Sequence, residues 1–290
     1  MVSAIVGVIG RPSSGKSTLI NTICEHKVSI VSPTAQTTRN AIRGIYTDQR
    51  GQLVFVDTPG FHLSEQKLNT LLQETTLSHI KETDLVLYIV DPKREPKEEE
   101  EAIVSHLLKL KVPIVAAINK IDIATNKEVT KARIFLEKNF KTVLEISAAQ
   151  DKGVDELLIE LYKVSPTGPL MYPEDSYTDQ PLEFRISEII REKAINSVKE
   201  ELPHAIYVEV IDMEYSEEQD SIWIRAVINV EKESQKGIVV GKGGEGIKRI
   251  RQASFKEIRR LFKQKNLHLD LRVKAHHKWR KKEHVLKRFI

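Results

Sequence analysis

The chain has 290 residues, 40% of them hydrophobic and 30% charged, with a single cysteine and a formal net charge of +4. That length accommodates one large or two ordinary soluble domains. A lone Cys24 excludes an internal disulfide and a cysteine-rich metal cluster, and no apolar run approaches the roughly 18 residues of a membrane span. The first apolar run starts at Val2 with nothing before it that reads as a signal peptide, so a reducing, cytoplasmic location is expected. The charge is unevenly placed. Lys236–Ile290 carries 18 Lys and Arg against 4 Asp and Glu, leaving 27 against 37 in the rest of the chain. A basic end on an acidic body points to a polyanionic partner.

Short Val- and Ile-rich runs alternate with helical patterns as far as about residue 165. Val2–Ile9, Leu53–Val56, Leu85–Val90, Ile114–Ile118 and Val143–Ile146 read as buried strands of a mostly parallel sheet. Ala41–Tyr46 reads as a further strand, turned back on Leu53–Val56 across Asp48–Gly51 as an antiparallel edge hairpin. Helices are predicted over 16–25, 67–79, 97–110, 127–139 and 153–163. This is an α/β fold of alternating elements, with ligands at the C-terminal ends of the strands.

The motifs fall at those strand ends. Gly10-Arg11-Pro12-Ser13-Ser14-Gly15-Lys16-Ser17, running into Thr18, has the spacing G-x-x-x-x-G-K-[ST] between a strand and a helix, that of a phosphate-binding loop. Gly10 and Gly15 permit close backbone approach, inward N–H groups cradle phosphate oxygens, Lys16 supplies charge for the β- and γ-phosphates, and the Ser17 hydroxyl suits Mg²⁺. Asp57-Thr58-Pro59-Gly60 closes the next strand. Asp57 is placed to hold Mg²⁺ through water, and Gly60 to bring a backbone N–H to a γ-phosphate; alone, these four residues are also good turn chemistry. Asn119-Lys120-Ile121-Asp122 closes Ile114–Ile118. A buried Asp122 carboxylate accepting from N1–H and the exocyclic amine of guanine would reject adenine, and the Lys120 stem would cover the base plane. Ser147-Ala148 offers backbone N–H groups to the guanine O6. Val31–Asn40 is polar and irregular. A threonine there, Thr38 first and Thr37 second, can join Mg²⁺ when γ-phosphate is present, which makes a switch. The cofactors expected are therefore GTP/GDP and Mg²⁺.

Other features carry no chemistry on their own. Cys24 reads as a small helix residue, His62 and His79 read as surface or packing groups rather than general bases, and His26 and His106 carry no pattern. Glu98–Glu101 reads as a solvated helix start favoured by the helix dipole.

Gln36-Thr37-Thr38-Arg39 and Asp57-Thr58-Pro59-Gly60-Phe61-His62, with the loops above, resemble the Era-like branch of the translation-factor-related GTPases. The resemblance implies switching on GTP hydrolysis, with Lys16, Thr38, Asp57 and Gly60 at the reacting phosphates. Phe61 stands where Ras-like enzymes carry a water-orienting Gln; an apolar residue there suits this branch and leaves water activation unassigned. Ser13 stands where the branch usually has the Asn linked to a potassium ion, so potassium stimulation does not carry over.

Ser165–Pro169, Pro173 and Pro181 form the Pro/Gly-dense stretch. The expected organisation is a nucleotide domain over 1–166, a linker over 167–181 and a second domain over 182–290. In that domain Leu182–Glu200 reads as an amphipathic helix, and Ala205–Ile211 and Ile222–Val230 as strands. Ile238–Ile250 follows, with Gly241-Lys242-Gly243-Gly244 and then Lys248 and Arg249. An apolar helix end, a G-x-x-G loop, a basic helix and a last strand Leu267–Val273 make the signature of a KH domain, here an α+β type II KH domain following the P-loop GTPase domain. The loop glycines admit a sugar-phosphate backbone, and the apolar flank forms a groove for about four unpaired bases. Beyond it, Lys274–Arg288 interleaves Trp279 with basic residues, which suits either contact with RNA phosphates or a solvated helix anchored by Trp279.

The resemblance extends over essentially the whole chain, through Leu271-Arg272-Val273-Lys274 and Trp279-Arg280. It implies a monomeric assembly factor that binds single-stranded ribosomal RNA at the 3′ region of 16S rRNA on the small ribosomal subunit, with some peripheral membrane contact. Two rival readings remain at this level. One is an RNA-binding chaperone in which nucleotide only times release. The other is a tRNA-modification GTPase, which would need a further catalytic domain.

Overall fold

The computed structural model describes residues 1–32, 42–58, 82–96, 98–199, 201–264, 266–277 and 279. The chain divides into two units, the first running to Asp179 and the second beginning at Gln180.

In the first unit β1 (Val2–Ile9), β2 (Ile42–Asp48), β3 (Gly51–Asp57), β4 (Leu85–Val90), β5 (Ile114–Ile118) and β6 (Val143–Glu145) form one sheet in the order β2-β3-β1-β4-β5-β6. β2 runs antiparallel to β3, and the other pairings are parallel. β3 and β4 are buried at every position, which is why they read as unbroken runs rather than alternating ones. The helices are α1 (Lys16–Ile23), α2 (Glu98–Leu107), α3 (Asn126–Glu137) and α4 (Val154–Val164). From β1 the chain moves to one side of the sheet for β3 and then back across it for β4. The crevice at the C-terminal ends of β1 and β4 lies at that reversal. The helix expected over 67–79 lies outside the described residues.

Local chemistry sets the boundaries. The hairpin is tighter than expected: Asp48 pairs with Gly51, so Gln49 and Arg50 alone make the turn. α3 starts at Asn126 because Thr125 and Glu128 form a reciprocal cap, with Glu128 N–H donating to Thr125 Oγ1 at 3.3 Å and Thr125 N–H donating to Glu128 Oε2 at 2.7 Å. α1 stops at Ile23 as Glu25 turns to φ +52°.

The stretch read as a linker is, through Asp179, laid on the first unit. Gln52 explains much of this. It is fully buried, its Oε1 accepts from the N–H groups of Met171 (2.9 Å) and Tyr172 (3.0 Å), and its Nε2 donates to Tyr172 O (3.0 Å). Gly168 N–H donates to Met1 O, Ile45 N–H donates to Tyr177 O, and Tyr177 stacks on His26 at 4.1 Å. Prolines here shape a strap rather than a free tether, because its backbone groups find partners on β1, β2 and β3.

The second unit opens with α5 (Leu182–Asn196). β7 (Tyr207–Ser216), β8 (Ser221–Val230) and β9 (Asn266–Ala275) then form a sheet in the order β7-β8-β9. β8 and β9 are parallel, joined by α6 (Glu233–Val240) and α7 (Glu245–Ile258). β7 continues past the expected end at Ile211 because a bulge between Val210 and Asp212 leaves Ile211 outside the pairing, and the alternation in the sequence breaks there. One face of the sheet carries Ile222, Ile224, Ala226 and Ile228 with Leu267, Leu269, Leu271 and Val273, all buried, as are Ile186, Ile190, Val239 and Ile250 of the helices. Trp279 is 1% exposed, donates from Nε1 to Ala205 O at 2.8 Å and meets Tyr207 edge-on at 4.7 Å, so it is a packing anchor. The basic residues from Arg280 onward lie outside the described residues.

Gln52→Leu keeps the volume but strands the Met171 and Tyr172 amides. It is expected to cost about 1–3 kcal/mol and to speed hydrogen exchange across 166–179 while β4 keeps its protection. Urea unfolding and exchange mass spectrometry measure both.

Candidate functional site

The loop after β1 wraps against two neighbours that leave no room for side chains. A Cβ on Gly10 would lie 2.3 Å from Ile89 O, and one on Gly15, which has φ +98°, would lie 2.2 Å from Asn119 Nδ2. Ser13 also takes positive φ, +62°. Gly15, which carries no side chain of its own to cap α1, stands at the N-terminus of that helix, where the backbone N–H groups suit an anion. Lys16 is 6% exposed and donates from Nζ to the carbonyls of Gly10 and Arg11, both at 3.1 Å. Burial lowers its pKa to about 8, against the opposing attraction of Asp57 and Glu100.

Two oxygen donors sit beside Lys16. Ser17 Oγ donates to Asp57 Oδ2 at 2.7 Å, and Asp57 is fully buried at the end of β3. A hydroxyl and a carboxylate this close suit a hard cation that keeps most of its ligands as water and phosphate. No group of three or more His, Cys, Asp or Glu side chains among the described residues makes a metal cage. Thr58 Oγ1 donates to Val8 O at 2.7 Å, tying the end of β3 to β1. Thr18 lies within α1. Thr37, Thr38, Pro59, Gly60 and Phe61 lie outside the described residues.

At the end of β5, Asn119 is 2% exposed; its Nδ2 donates to Ser14 O at 2.9 Å, and its Oδ1 accepts from Ala148 N–H at 3.0 Å. Lys120, at φ +65°, donates to Ser13 O (2.6 Å) and Asp91 Oδ2 (2.7 Å). Ile121 N–H reaches Ile146 O at 3.3 Å. The phosphate-loop and base-loop motifs therefore form one hydrogen-bonded body.

Two expectations change here. The N–H groups of Ser147 and Ala148, expected to face a base oxygen, are taken by Lys152 O (2.9 Å) and Asn119 Oδ1, because the loop closes on itself and on β5. Asp122 is exposed rather than buried, and its Oδ1 accepts from Ser147 Oγ at 2.6 Å. Base discrimination through an unpaired buried carboxylate thus requires the base itself to cover Asp122, with Ser147 setting its orientation.

The supports behind the loop carry no motif. Arg11 pairs with Glu99 at 2.5 Å, and Arg94 donates to Pro12 O at 2.8 Å. Glu100, expected in solvent, is 1% exposed and accepts from Tyr88 OH; desolvation raises its pKa, opposed by the Tyr88 bond and Arg11. A four-glutamate run hides that one member points inward; its signal is the polar Tyr88 within an otherwise apolar strand. Asp91, the partner of Lys120, was legible only as a charged residue at a strand end.

In the second unit, the loop between α6 and α7 takes φ of +72°, +60° and +81° at Gly241, Gly243 and Gly244. Gly246 lets the helices cross closely, since a Cβ there would lie 2.4 Å from Val239 O. Lys242, Lys248 and Arg249 are exposed, and Ile238 is 62% exposed beside them. A bare backbone loop with cations and an apolar flank can take a phosphodiester strand without needing its complement.

Asn119→Ala removes both bonds of the junction and leaves Ser14 O and the Ala148 amide buried. It is expected to destabilise the first unit by about 2–4 kcal/mol, read from the urea midpoint.

Residues 5–120 match the 50S ribosome-binding GTPase family, and residues 201–280 match the KH domain. GTPase Era of Treponema denticola is 47% identical over 99% of each chain, and GTPase Era of Borreliella burgdorferi strain ZS7 is 45% identical over 100% of each. Among solved structures, a variant of Aquifex aeolicus Era bound to GDP and AlF4⁻ is 31% identical with a TM-score of 0.94, covering 100% of this chain and 99% of that one. Era in complex with MgGDPNP and nucleotides 1506–1542 of 16S ribosomal RNA is likewise 31% identical at a TM-score of 0.94, with 100% and 98% covered. A phosphate loop locked to a base loop, a G-x-x-G loop in a second unit, and full-length likeness at these identities lead to one conclusion: the chain belongs to the GTPase Era family.

Proposed function

We propose that the chain hydrolyses GTP to GDP and phosphate as a switch and binds single-stranded RNA through its second unit. Its target would be the 3′ region of 16S rRNA, where it assists assembly of the small ribosomal subunit. The observation that carries the nucleotide half is the Asn119 junction, which unites the phosphate loop with the loop bearing Asp122. The RNA half is supported by the left-handed glycine loop beside exposed Lys242, Lys248 and Arg249, and by the relative solved with 16S RNA.

In this reading residues 10–18 cradle the phosphates and Lys16 counters the charge on the β- and γ-oxygens, so catalysis is mainly positioning and electrostatics. Ser17 and Thr38 would hold Mg²⁺ and Asp57 would hold it through water; when bound, the ion would neutralise developing phosphate charge. Gly60 would offer its N–H to the γ-phosphate, and Thr58, Pro59 and Phe61 belong to the same run of the sequence. Lys120 flanks the base, Asp122 reads it, and Asn119, Ile121, Ser147 and Ala148 frame that loop. The protein acts as a cytoplasmic monomer. No helix among the described residues is long and apolar enough to cross a membrane, and peripheral membrane contact falls to the basic tail.

Asp122→Asn turns an acceptor into a donor. It is expected to weaken GTP binding at least tenfold and to favour xanthine nucleotides, whose C2 oxygen accepts. Competition titration reads the exchange, and equal wild-type affinity for ATP and GTP would refute the guanine assignment.

Lys16 gives a pH signature. Its folded pKa, about 8, lies below the unfolded value of 10.5, so burial of the ammonium costs stability below pH 8, and that cost fades as pH rises from 8 to 10.5. Nucleotide binding runs the other way, because phosphate needs the ammonium. Affinity is expected to be about fivefold weaker at pH 9 than at pH 8, while the free protein loses no stability from Lys16. Lys16→Met is expected to flatten the affinity profile.

A further inference from the structure

A groove of about 1070 Å³ runs along the open edge of β9, between α7 and Trp223 of β8. Ile222 and Ile224 face the helices, so Trp223 stands on the opposite face of the sheet, where it is 46% exposed. It does not hang loose. Trp223 and His268 are register partners on β8 and β9 and stack with ring centroids 4.0 Å apart and planes 13° apart. A flat, half-exposed aromatic pair already held in place loses little entropy when a further ring settles on it.

The groove's charge selects what that ring belongs to. Arg249, Arg251 and Lys256 of α7 line it, and Phe255, 37% exposed, adds a second aromatic surface. Its acid, Asp270, is paired with Arg272 at 2.9 Å. Cations match a phosphodiester backbone and exposed rings match bases, the combination used for single strands. β9 is the last strand of its sheet, so one edge of its backbone along Leu267–Asp270 has no strand partner among the described residues and offers N–H and C=O groups to base edges. The G-x-x-G loop opens the same helix, α7, that forms this wall, so the clamp at Gly241–Gly244 and the groove share one helix.

We propose that Trp223 and His268 form a base-stacking platform for an unpaired base of single-stranded RNA, a subsite separate from the backbone clamp at Gly241–Gly244. The proposal rests on the RNA-binding reading above and assigns Trp223 as a residue of base recognition.

The chain has two tryptophans, one half-exposed and one, Trp279, at 1% exposure, so quenchable fluorescence reports on Trp223. The full chain is titrated with a mixed-sequence single-stranded RNA 12-mer, the same length of duplex RNA, an abasic strand of equal charge, and polyglutamate. The expected result is quenching, with protection from acrylamide, by the single strand alone. Trp223→Ala is expected to weaken single-strand binding about five- to a hundredfold, with the salt dependence unchanged, and Trp223→Phe to keep most of the affinity. Arg251→Ala is expected instead to lower the salt slope by about one. Circular dichroism and the remaining Trp279 emission check that the variants are folded. The platform is overturned if wild type binds the single strand but Trp223→Ala binds it equally, or if the abasic strand binds as tightly as the 12-mer. Quenching by polyglutamate equal to that by RNA would assign the groove to an acidic protein segment and also overturn it. Failure of wild type to bind any RNA would remove the RNA reading itself, and the platform with it.

Discussion

The carboxamide of Asn119 is the junction on which the nucleotide site depends. It sits at the end of β5, almost wholly buried, and uses one nitrogen and one oxygen to join loops that are over a hundred residues apart in one case and nearly thirty in the other. Both bonds are made away from water, where a lost partner costs more than a formed bond contributes. The requirement is mutual. Gly15 has no room for a Cβ because Asn119 Nδ2 lies where it would go. A glycine usually explained by the needs of a ligand is here also demanded by a protein side chain.

Around this junction, charges are held in pairs rather than left to solvent. Arg11 meets Glu99, Lys120 meets Asp91, Ser17 meets Asp57, and Tyr88 donates to Glu100. Such buried partnerships contribute little net stability compared with apolar packing, but they fix where each charge can be. Lys16 is the member held least comfortably. Its ammonium has backbone carbonyls for partners, and burial works against its charge. A cation in that condition gains most from an incoming polyanion, which is the electrostatic logic of a phosphate loop.

The second unit solves a different problem with similar economy. A parallel β8–β9 pair requires a crossover, and here the crossover is two helices with a turn between them. That turn is the G-x-x-G loop, so the functional element is also the topological connection. Gly246 lets α6 and α7 cross closely enough for the loop to stay narrow. The strap that precedes this unit is bound to β3 by the buried Gln52 and to β1 and β2 by backbone hydrogen bonds, which turns an apparent tether into part of the first unit.

Contiguous signals were legible from residue order alone. The phosphate loop, the Asn119–Asp122 run and the G-x-x-G loop each occupy a few successive residues, and the short apolar strands between them dictate a parallel sheet because a strand buried on both faces has no polar alternation. Pairwise relations across the chain were not legible. Nothing near Asn119 says that its carboxamide binds Ser14 and Ala148 rather than a ligand, and so the Ser147 and Ala148 amides were expected to be available when they are in fact used. Nothing near Glu100 marks it as the inward member of Glu98–Glu101, since Tyr88, its partner, belongs to the strand β4 and not to its own helix. Trp223 and His268 are separated by two helices and meet only because β8 and β9 pair in one register. Local propensity and motif spacing act between neighbours in sequence. Hydrogen-bond partners, burial of a particular carboxylate and stacking of two rings depend on which strands lie side by side, and only the folded chain decides that.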